Sequence, residues 1–333
     1  MAIDPKPWMV GGGASHSVEV ARLLPYATSS GAEGIVEPIS LQVQAMQTPG
    51  KNVRVAPGAA FIRNRYKGAL QQSYVFRNAS QTEVTITATG SAGARTDLLV
   101  ARVLDPQFEG PEPEDPDAFD YSRFEVIEGV PTNTKSAKDL NLSYPAIALA
   151  RITIPKSTAT ITNSMVTDLR EVALPRRDDV WRPRALVTED MEVLTGTGPV
   201  GEWFPNSGGV QEIYIPEWAT RAQIRCQWLS VRYGAGNAYG QMWVEFGPYK
   251  GPSERERSTQ RYQFDTPAAD NVMRANWNVV DDVYIPAALR GTTQHFVPKA
   301  AWLGGVRNSV SLDGVSGMSM EVRFLEVADP STT

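Results

Sequence analysis

Residues 222–228 read Ala-Gln-Ile-Arg-Cys-Gln-Trp, so apolar and polar side chains alternate along this stretch. Alternation with a period of two is typical of a half-buried β-strand, because successive side chains of a strand point to opposite faces of its sheet. The same pattern, separated by turn dipeptides such as Pro49-Gly50, recurs at residues 41–46, 52–55, 84–89, 242–246 and 320–324. It predicts an all-β chain, with an N-terminal antiparallel β module followed by a C-terminal β-sandwich or jelly-roll-like module.

Two further stretches, residues 97–103 and 146–154, are apolar almost throughout. Such runs favour central strands whose two faces are both covered. Each contains an arginine, Arg102 or Arg151, which must reach solvent or find a partner. Helical spacing is confined to short stretches, and the candidate at residues 17–24 is expected to stop at Pro25.

An acidic stretch follows the first of these apolar strands. Residues 105–128 contain nine acidic residues, four prolines and one arginine. Such a composition buries too little apolar surface to form a core element, so we expect its first half to project as a solvated loop. The spacing of its carboxylates does not match a calcium-binding loop, and no metal site is predicted.

A change in composition divides the chain in two. Residues 168–187 combine adjacent charges with prolines, and seven of the eight tryptophans lie at Trp181 or beyond it. We predict a β-rich domain over residues 1–172, a linker over residues 173–190 and a β-sandwich over residues 191–333. The last five residues, 329–333, are expected to fray.

The composition excludes several classes of protein. With one cysteine, Cys226, and two histidines, the chain has neither an internal disulfide nor the ligands of a cysteine-based zinc site. A formal net charge of −5 gives no electrostatic reason to bind nucleic acid. The first ten residues lack the apolar run of a signal peptide, and no stretch is long enough to span a bilayer. We therefore expect a soluble protein, made without a cleaved leader and not inserted in a membrane.

Catalytic signals are weak. Only His16 and His295 can act as imidazole bases, and neither accompanies a G-x-S-x-G nucleophile motif. A pair of carboxylates that hydrolyses a glycoside is possible among so many acids, but no pair stands out. The glycine-rich stretches at residues 11–13 and 90–95 lack the context of a nucleotide-binding loop. The chain is predicted not to be an enzyme and to need no cofactor.

The aromatic residues of the second half are the strongest functional signal, because aromatic faces stack on sugars and supply rigid contact area. Trp228 alternates in register with Ile224 and Cys226, so we assign it to the core. Trp243 falls opposite its apolar neighbours, which indicates a surface or subunit interface. Loops are expected around the remaining candidates. The predicted ligand-binding residues are Trp203, Tyr233, Tyr239 and Trp243.

A set of motifs in the first half resembles the minor tail proteins of long-tailed phages that infect actinobacteria. They are EPISLQV at residues 37–43, VRVAPGAA at 53–60, ARTDLLVARV at 94–103, YPAIALARI at 144–152, IT at 161–162 and TDLR at 167–170. The resemblance covers about residues 10 to 172, half of the chain. The second half resembles only the general architecture of the β-sandwich or jelly-roll tips of phage fibres.

The resemblance implies a virion protein at the tail tip, folded in the host cytoplasm and released by lysis. Its N-terminal module would attach to other tail-tip or baseplate proteins, and its C-terminal module would bind host cell-surface glycan. Fibre-like tips usually form closed oligomers, so a homotrimer is expected. Two alternatives stay open: a purely architectural baseplate subunit without a receptor, and a tail-associated depolymerase or esterase of the cell envelope. The family supplies no catalytic residues.

Overall fold

A computed structural model describes residues 12, 15–185, 191–206, 208–251, 254–266, 270–307 and 309–329 of the chain. The chain forms two compact units: unit 1 comprises Met1–Pro175 and Val327–Thr333, and unit 2 comprises Arg176–Glu326. The predicted all-β class is confirmed, and the sheets of the described residues are built from antiparallel strand pairs.

Unit 1 contains a single α-helix among its described residues, together with ten strands that form three sheets. The helix α1 is Val18–Thr28, and short 3-10 helices lie at Ala137–Leu140 and Asn163–Met165. The strands are β1 (Gly34–Ile35), β2 (Val43–Ala45), β3 (Asn52–Val55), β4 (Gly58–Arg63), β5 (Ser73–Asn78), β6 (Thr82–Thr85), β7 (Arg95–Val103), β8 (Ser122–Ile127), β9 (Ala146–Ile154) and β10 (Val166–Asp168). The sheet orders are β1-β4-β5, β2-β3-β6 and β10-β9-β7-β8.

The two apolar stretches form the centre of the four-stranded sheet, as predicted. Strands β7 and β9 lie side by side, and Leu98, Leu99, Val100 and Ala101 are all fully buried. Leu99 belongs to the larger apolar cluster of unit 1, and Leu98 belongs to a smaller one. Because apolar side chains cover both faces, these strands are continuously apolar instead of alternating.

The expectation that Pro25 ends the helix is wrong. Helix α1 begins after Ser17, whose hydroxyl accepts the Val20 N–H at 3.2 Å, and it continues through Pro25 to Thr28. A proline removes one hydrogen bond from the preceding turn. The following turn stays closed here, because the Ser29 N–H donates to the Pro25 carbonyl at 3.0 Å.

The acidic stretch is more ordered than its composition indicates. Arg22 of α1 forms an ion pair with Asp105, and Arg102 of β7 pairs with Glu109 at 2.5 Å and with Glu125 at 2.6 Å. Arg102 thus finds the partners that a buried cation requires. The first half of the stretch, predicted to be a solvated loop, contains no helix or strand, although two arginines hold its start; strand β8 lies in the second half.

A single arginine joins three distant segments of unit 1. The Arg170 side chain is fully buried and pairs with Asp168 at 2.7 Å. It also donates hydrogen bonds to the carbonyl oxygens of Pro38 at 3.0 Å, Ser40 at 2.7 Å and Asp329 at 3.2 Å. Arg170 therefore connects the end of β10 to the chain before β2 and to the C-terminal segment.

The C-terminal end of the described chain belongs to unit 1. Asp329 is 2% exposed, and its N–H donates to the Pro38 carbonyl at 3.0 Å. The predicted fraying is wrong for Asp329, and residues 330–333 lie outside the described residues. The predicted C-terminal domain, residues 191–333, is corrected as well, because unit 1 consists of two chain segments and unit 2 is inserted between them.

Unit 2 contains twelve strands among its described residues, and a short 3-10 helix lies at Ala287–Leu289. The strands are β11 (Arg177–Ala185), β12 (Glu192–Val193), β13 (Glu202–Trp203), β14 (Gln211–Ile215), β15 (Arg221–Tyr233), β16 (Ala238–Gly251), β17 (Glu254–Ser258), β18 (Tyr262–Thr266), β19 (Met273–Tyr284), β20 (Thr292–Gly305), β21 (Val310–Leu312) and β22 (Gly317–Leu325). One sheet, named here sheet A, has the order β11-β22-β15-β21-β12, with β19 paired to β15. The other, sheet B, has the order β13-β20-β16-β17, with β14 paired to β20 and β18 paired to β16.

Part of the predicted linker is a strand. Residues 177–185 form β11, which pairs with β22 from Arg177↔Leu325 to Ala185↔Gly317. Strand β11 lies at the edge of sheet A, where charged side chains and prolines are tolerated because one side of the strand has no partner. Residues 186–190 of the predicted linker lie outside the described residues.

One apolar core lies between the two sheets of unit 2, which makes this unit a β-sandwich. Ile224 and Trp228 of sheet A and Val244 and Phe296 of sheet B are fully buried members of the same cluster. The assignment of Trp228 to the core is confirmed. The alternation along β15 thus reflects one face that packs inward and one that does not.

Replacing Arg170 tests its role in unit 1. We expect Arg170→Ala to lower the free energy of unfolding of unit 1 by about 3 kcal/mol, because buried acceptors lose their donor and Asp168 loses its counterion. Arg123→Ala is the matched control, since Arg123 pairs with Glu125 at 3.8 Å on the surface and should cost less than about 1 kcal/mol. Hydrogen exchange of the β7 and β9 amides at increasing urea concentration gives the free energy of unfolding of unit 1 separately. Equal losses of this free energy in the two variants would contradict this role of Arg170.

Candidate functional site

The structure places Trp243 inside the protein. Its side chain is fully buried, and its indole N–H donates to Glu245 at 2.8 Å. A Cβ added to Gly201 would lie 2.6 Å from the Trp243 ring, so the chain at Gly201 covers that ring. The predicted surface position is wrong, because alternation shows which face a residue occupies and does not show whether that face is covered.

A buried charge pair lies next to Trp243. Lys299 is fully buried, and its ammonium group donates to Glu245 at 3.3 Å. Burial lowers the pKa of Lys299, and the nearby Glu245 carboxylate opposes that shift. The same carboxylate accepts the Arg255 backbone N–H at 3.0 Å. These groups satisfy one another, and the exposed Arg261 guanidinium lies 4.0 Å from the centre of the Trp243 ring, so that ring is covered.

Tyr233 and Tyr239 lie in strands on either side of a short turn, residues 234–237, where a loop was expected around both. Tyr233 is 2% exposed and its hydroxyl accepts the indole N–H of Trp277. Burial raises the pKa of Tyr233 to about 12. Tyr233 is therefore a core residue. Tyr239 is 38% exposed, and its ring lies against Gly304 of β20.

Trp203 remains accessible, in strand β13 instead of the predicted loop. It shares its register partner Lys299 with Trp243, so these two predicted residues lie on the same face of sheet B. Trp203 is half-buried and lines a depression of about 440 Å³. Glu202 in that depression accepts two hydrogen bonds from Thr195, both at 2.8 Å.

The most exposed tryptophan of the described residues was not among the predicted site residues. Trp181 lies in β11 with 65% of its surface exposed, and its indole N–H donates to the Ser319 hydroxyl of β22 at 2.9 Å. This hydrogen bond holds the flat ring in one orientation on the outer face of sheet A. Trp181 was not predicted as a site residue because it was assigned to the linker, and a residue in a linker has no defined face.

A row of side chains crosses the outer face of sheet A beside Trp181. Trp181 is in register with Glu321, Glu321 with Arg225 and Arg225 with Val280, on four adjacent strands. Residues directly opposite each other in antiparallel strands project to the same face. Next to Trp181 the face holds a depression of about 550 Å³, lined by Gln223, Ile224, Arg225, Gln260, Val280, Asp281, Asp282, Glu321 and Arg323.

The charged groups of this face differ in their pairing. Arg323 pairs with Asp179 at 2.7 Å and with Glu321 at 3.4 Å. Asp282 pairs with Arg221 at 2.8 Å. The Arg225 guanidinium, by contrast, forms no hydrogen bond or ion pair with any residue that the structure describes. The face therefore offers hydrogen-bond donors and acceptors beside an exposed aromatic ring.

In the described part of the chain, His295 lies among charged side chains and Cys226 lies in the core. His295 contacts Glu212 through one ring nitrogen at 2.8 Å and Arg255 through the other at 3.0 Å. Cys226 is fully buried, and burial raises the pKa of its thiol.

Within the same described residues, no group of three or more His, Cys, Asp or Glu side chains is arranged to hold a metal ion. No helix there has the length and apolar character that a membrane crossing needs.

Comparisons with known proteins give no family. No family model matches the chain, and no curated protein matches it. Among solved structures, it is similar to the VP2 subviral particle of infectious bursal disease virus, with TM-score 0.24 and 13% identity over 90% of this chain and 68% of that one. It is also similar to a tandem CBM22 domain of Xyn10C from Paenibacillus barcinonensis, with TM-score 0.21 and 9% identity over 84% and 87%. At these TM-scores the likenesses carry no argument about this chain.

The position of Tyr233 gives a test that separates core from ligand contact. We expect Tyr233→Phe to destabilise unit 2 by about 1–3 kcal/mol, because the Trp277 N–H loses its buried acceptor. Tyr239→Phe is the control and should change stability by less than about 0.5 kcal/mol, since Tyr239 is partly exposed. Seven of the eight tryptophans lie in unit 2, so urea unfolding followed by tryptophan fluorescence reports mainly on that unit. Two equally stable variants would show that Tyr233 has no such role.

Proposed function

We propose that this chain is a minor tail protein of a long-tailed phage and that its inserted sandwich, unit 2, binds glycan on the host cell surface. In this proposal unit 1 attaches the protein to other tail-tip or baseplate proteins, and the protein acts as a homotrimer. The observation that carries the adhesive role is the exposed Trp181 ring on the outer face of sheet A, in register with Glu321 and Arg225.

The chemistry of this face suits a sugar. A pyranose ring has an apolar face that stacks on a flat aromatic ring, and its hydroxyl groups both donate and accept hydrogen bonds. Trp181 supplies the ring, and its hydrogen bond to Ser319 reduces the entropy that stacking would otherwise cost. Glu321 accepts and Arg225 donates within one or two strands of that ring.

The attachment role of unit 1 is supported by the positions of the motifs that resemble tail proteins. ARTDLLVARV contains all of β7, YPAIALARI contributes most of β9, and TDLR ends in the buried Arg170. In VRVAPGAA, a Cβ at Gly58 would lie 2.5 Å from the Ser40 Cα, so only glycine permits that approach. The resemblance thus falls on residues that build the scaffold of unit 1, which is the part of a tail protein that related proteins would share.

Cell binding by the intact protein tests this proposal. We expect saturable binding to actinobacterial cells, weakened about tenfold or more by Trp181→Ala, because the stacking ring is lost. Tyr214→Ala is the matched control, since Tyr214 is 52% exposed and lies in β14 of sheet B. The measurement is a titration of labelled protein on cells, with tryptophan fluorescence confirming that both variants fold.

Three results would contradict parts of the proposal. Binding that Trp181→Ala leaves unchanged would overturn the assignment to sheet A. A folded protein that binds no cells would overturn adhesion and favour an architectural baseplate subunit. Release of reducing sugar or acetate from cell envelopes would favour a depolymerase or esterase. Light scattering of the same preparation tests the trimer.

A further inference from the structure

Unit 1 contains an open apolar groove between α1 and the chain around β5 and β7. Its volume is about 910 Å³, and its lining includes Val18, Leu24, Val75 and Tyr121, which are exposed by 57%, 50%, 61% and 37%. Four prolines also line it: Pro25, Pro106, Pro113 and Pro116. Monomeric proteins rarely expose a large contiguous apolar surface, so such a surface commonly marks a binding site.

The walls of the groove are held in place by polar contacts. Arg22 of α1 pairs with Asp105 and donates to Gln107 on the opposite wall. Tyr74 of β5 donates from its hydroxyl to Asp105 at 2.8 Å, and the Arg22 guanidinium lies 5.6 Å from the Tyr74 ring centre. Because these contacts fix both walls, the apolar side chains stay apart and the groove is formed before a partner arrives.

The rim of the groove is negatively charged. Arginines pair with Asp105, Glu109 and Glu125 of the acidic stretch. Within the described residues, five further acidic side chains of this stretch are exposed and have no basic partner: Glu112, Glu114, Asp115, Asp117 and Asp120. Glu112 lines the groove itself. The groove therefore combines an apolar floor with carboxylates whose charge no described residue of unit 1 neutralises.

We propose that this groove binds a segment of another protein that combines apolar side chains with lysine or arginine. The apolar side chains of that segment fill the floor between Leu24 and Val75, and its cations pair with Glu112 and the neighbouring acids. Burial of apolar surface supplies affinity, and the charge pairing selects basic over acidic segments. This inference deepens the attachment role proposed for unit 1 and rests on it, whereas adhesion by unit 2 is independent of it.

The test uses the full chain and a labelled amphipathic peptide, KLLKKLLKKLLK, followed by fluorescence anisotropy at about 0.05 M salt. We expect saturable binding of this peptide and none of its acidic counterpart, ELLEELLEELLE. Val75→Lys should weaken binding about tenfold or more, since it places a cation in the groove. Leu70→Lys is the matched control, because Leu70 is 52% exposed in unit 1, lies outside the groove and gains the same charge.

Each contrary result overturns the proposal. No saturable binding of the basic peptide, equal binding of the acidic one, or equal affinities of the Val75→Lys and Leu70→Lys variants would exclude a groove for basic segments. A dimer in light scattering that Val75→Lys alone dissociates would assign the groove to a second copy of this chain. Because no cells are present, these outcomes are distinct from a failure of adhesion by unit 2.

Discussion

A fully buried guanidinium is tolerated only where its N–H groups find acceptors, and Arg170 finds them on three separate segments of the chain. One of these acceptors is the carbonyl of Asp329, near the C-terminus. The first 175 residues thus complete unit 1 only with residues that follow unit 2 in the sequence. Unit 2 begins and ends on adjacent strands, because Arg177 of β11 is in register with Leu325 of β22. This arrangement lets a large sandwich be inserted while both of its ends stay together.

The same requirement makes the non-core faces of the two sheets of unit 2 differ. On the non-core face of sheet B, the buried Lys299, Glu245 and Trp243 satisfy one another, and the Arg261 guanidinium covers the Trp243 ring at 4.0 Å. The non-core face of sheet A carries the exposed Trp181 and an Arg225 side chain without a partner among the described residues. Sheet A therefore presents an exposed aromatic ring beside an exposed guanidinium. In unit 1, paired charges at Arg22 and Asp105 likewise leave a groove open.

The alternating pattern predicted the strands well, because it follows from the backbone geometry of a strand and needs no tertiary information. It placed Trp228 in the core for the same reason. It failed for Trp243, since burial of a second face depends on distant chain such as Gly201. Strand β11 was not predicted, because its charged residues and proline indicated a linker, although an edge strand tolerates both. Trp181 lies in β11 and was therefore not predicted as a site residue. No local signal indicates that Asp329 returns to unit 1.

Residues 327–329 complete unit 1 through the Asp329 carbonyl, which binds Arg170, and through Ala328, which packs against the apolar cluster. Hydrogen exchange of a chain truncated after Glu326, compared with the full chain, measures this contribution. We expect faster exchange at residues 38–40 and in strands β9 and β10, where Arg170 loses the Asp329 carbonyl and Ala328 leaves the apolar cluster. We expect unchanged exchange in β15 and β22 of unit 2. Unchanged exchange in unit 1 would contradict this role of residues 327–329, and so would an equal increase in both units.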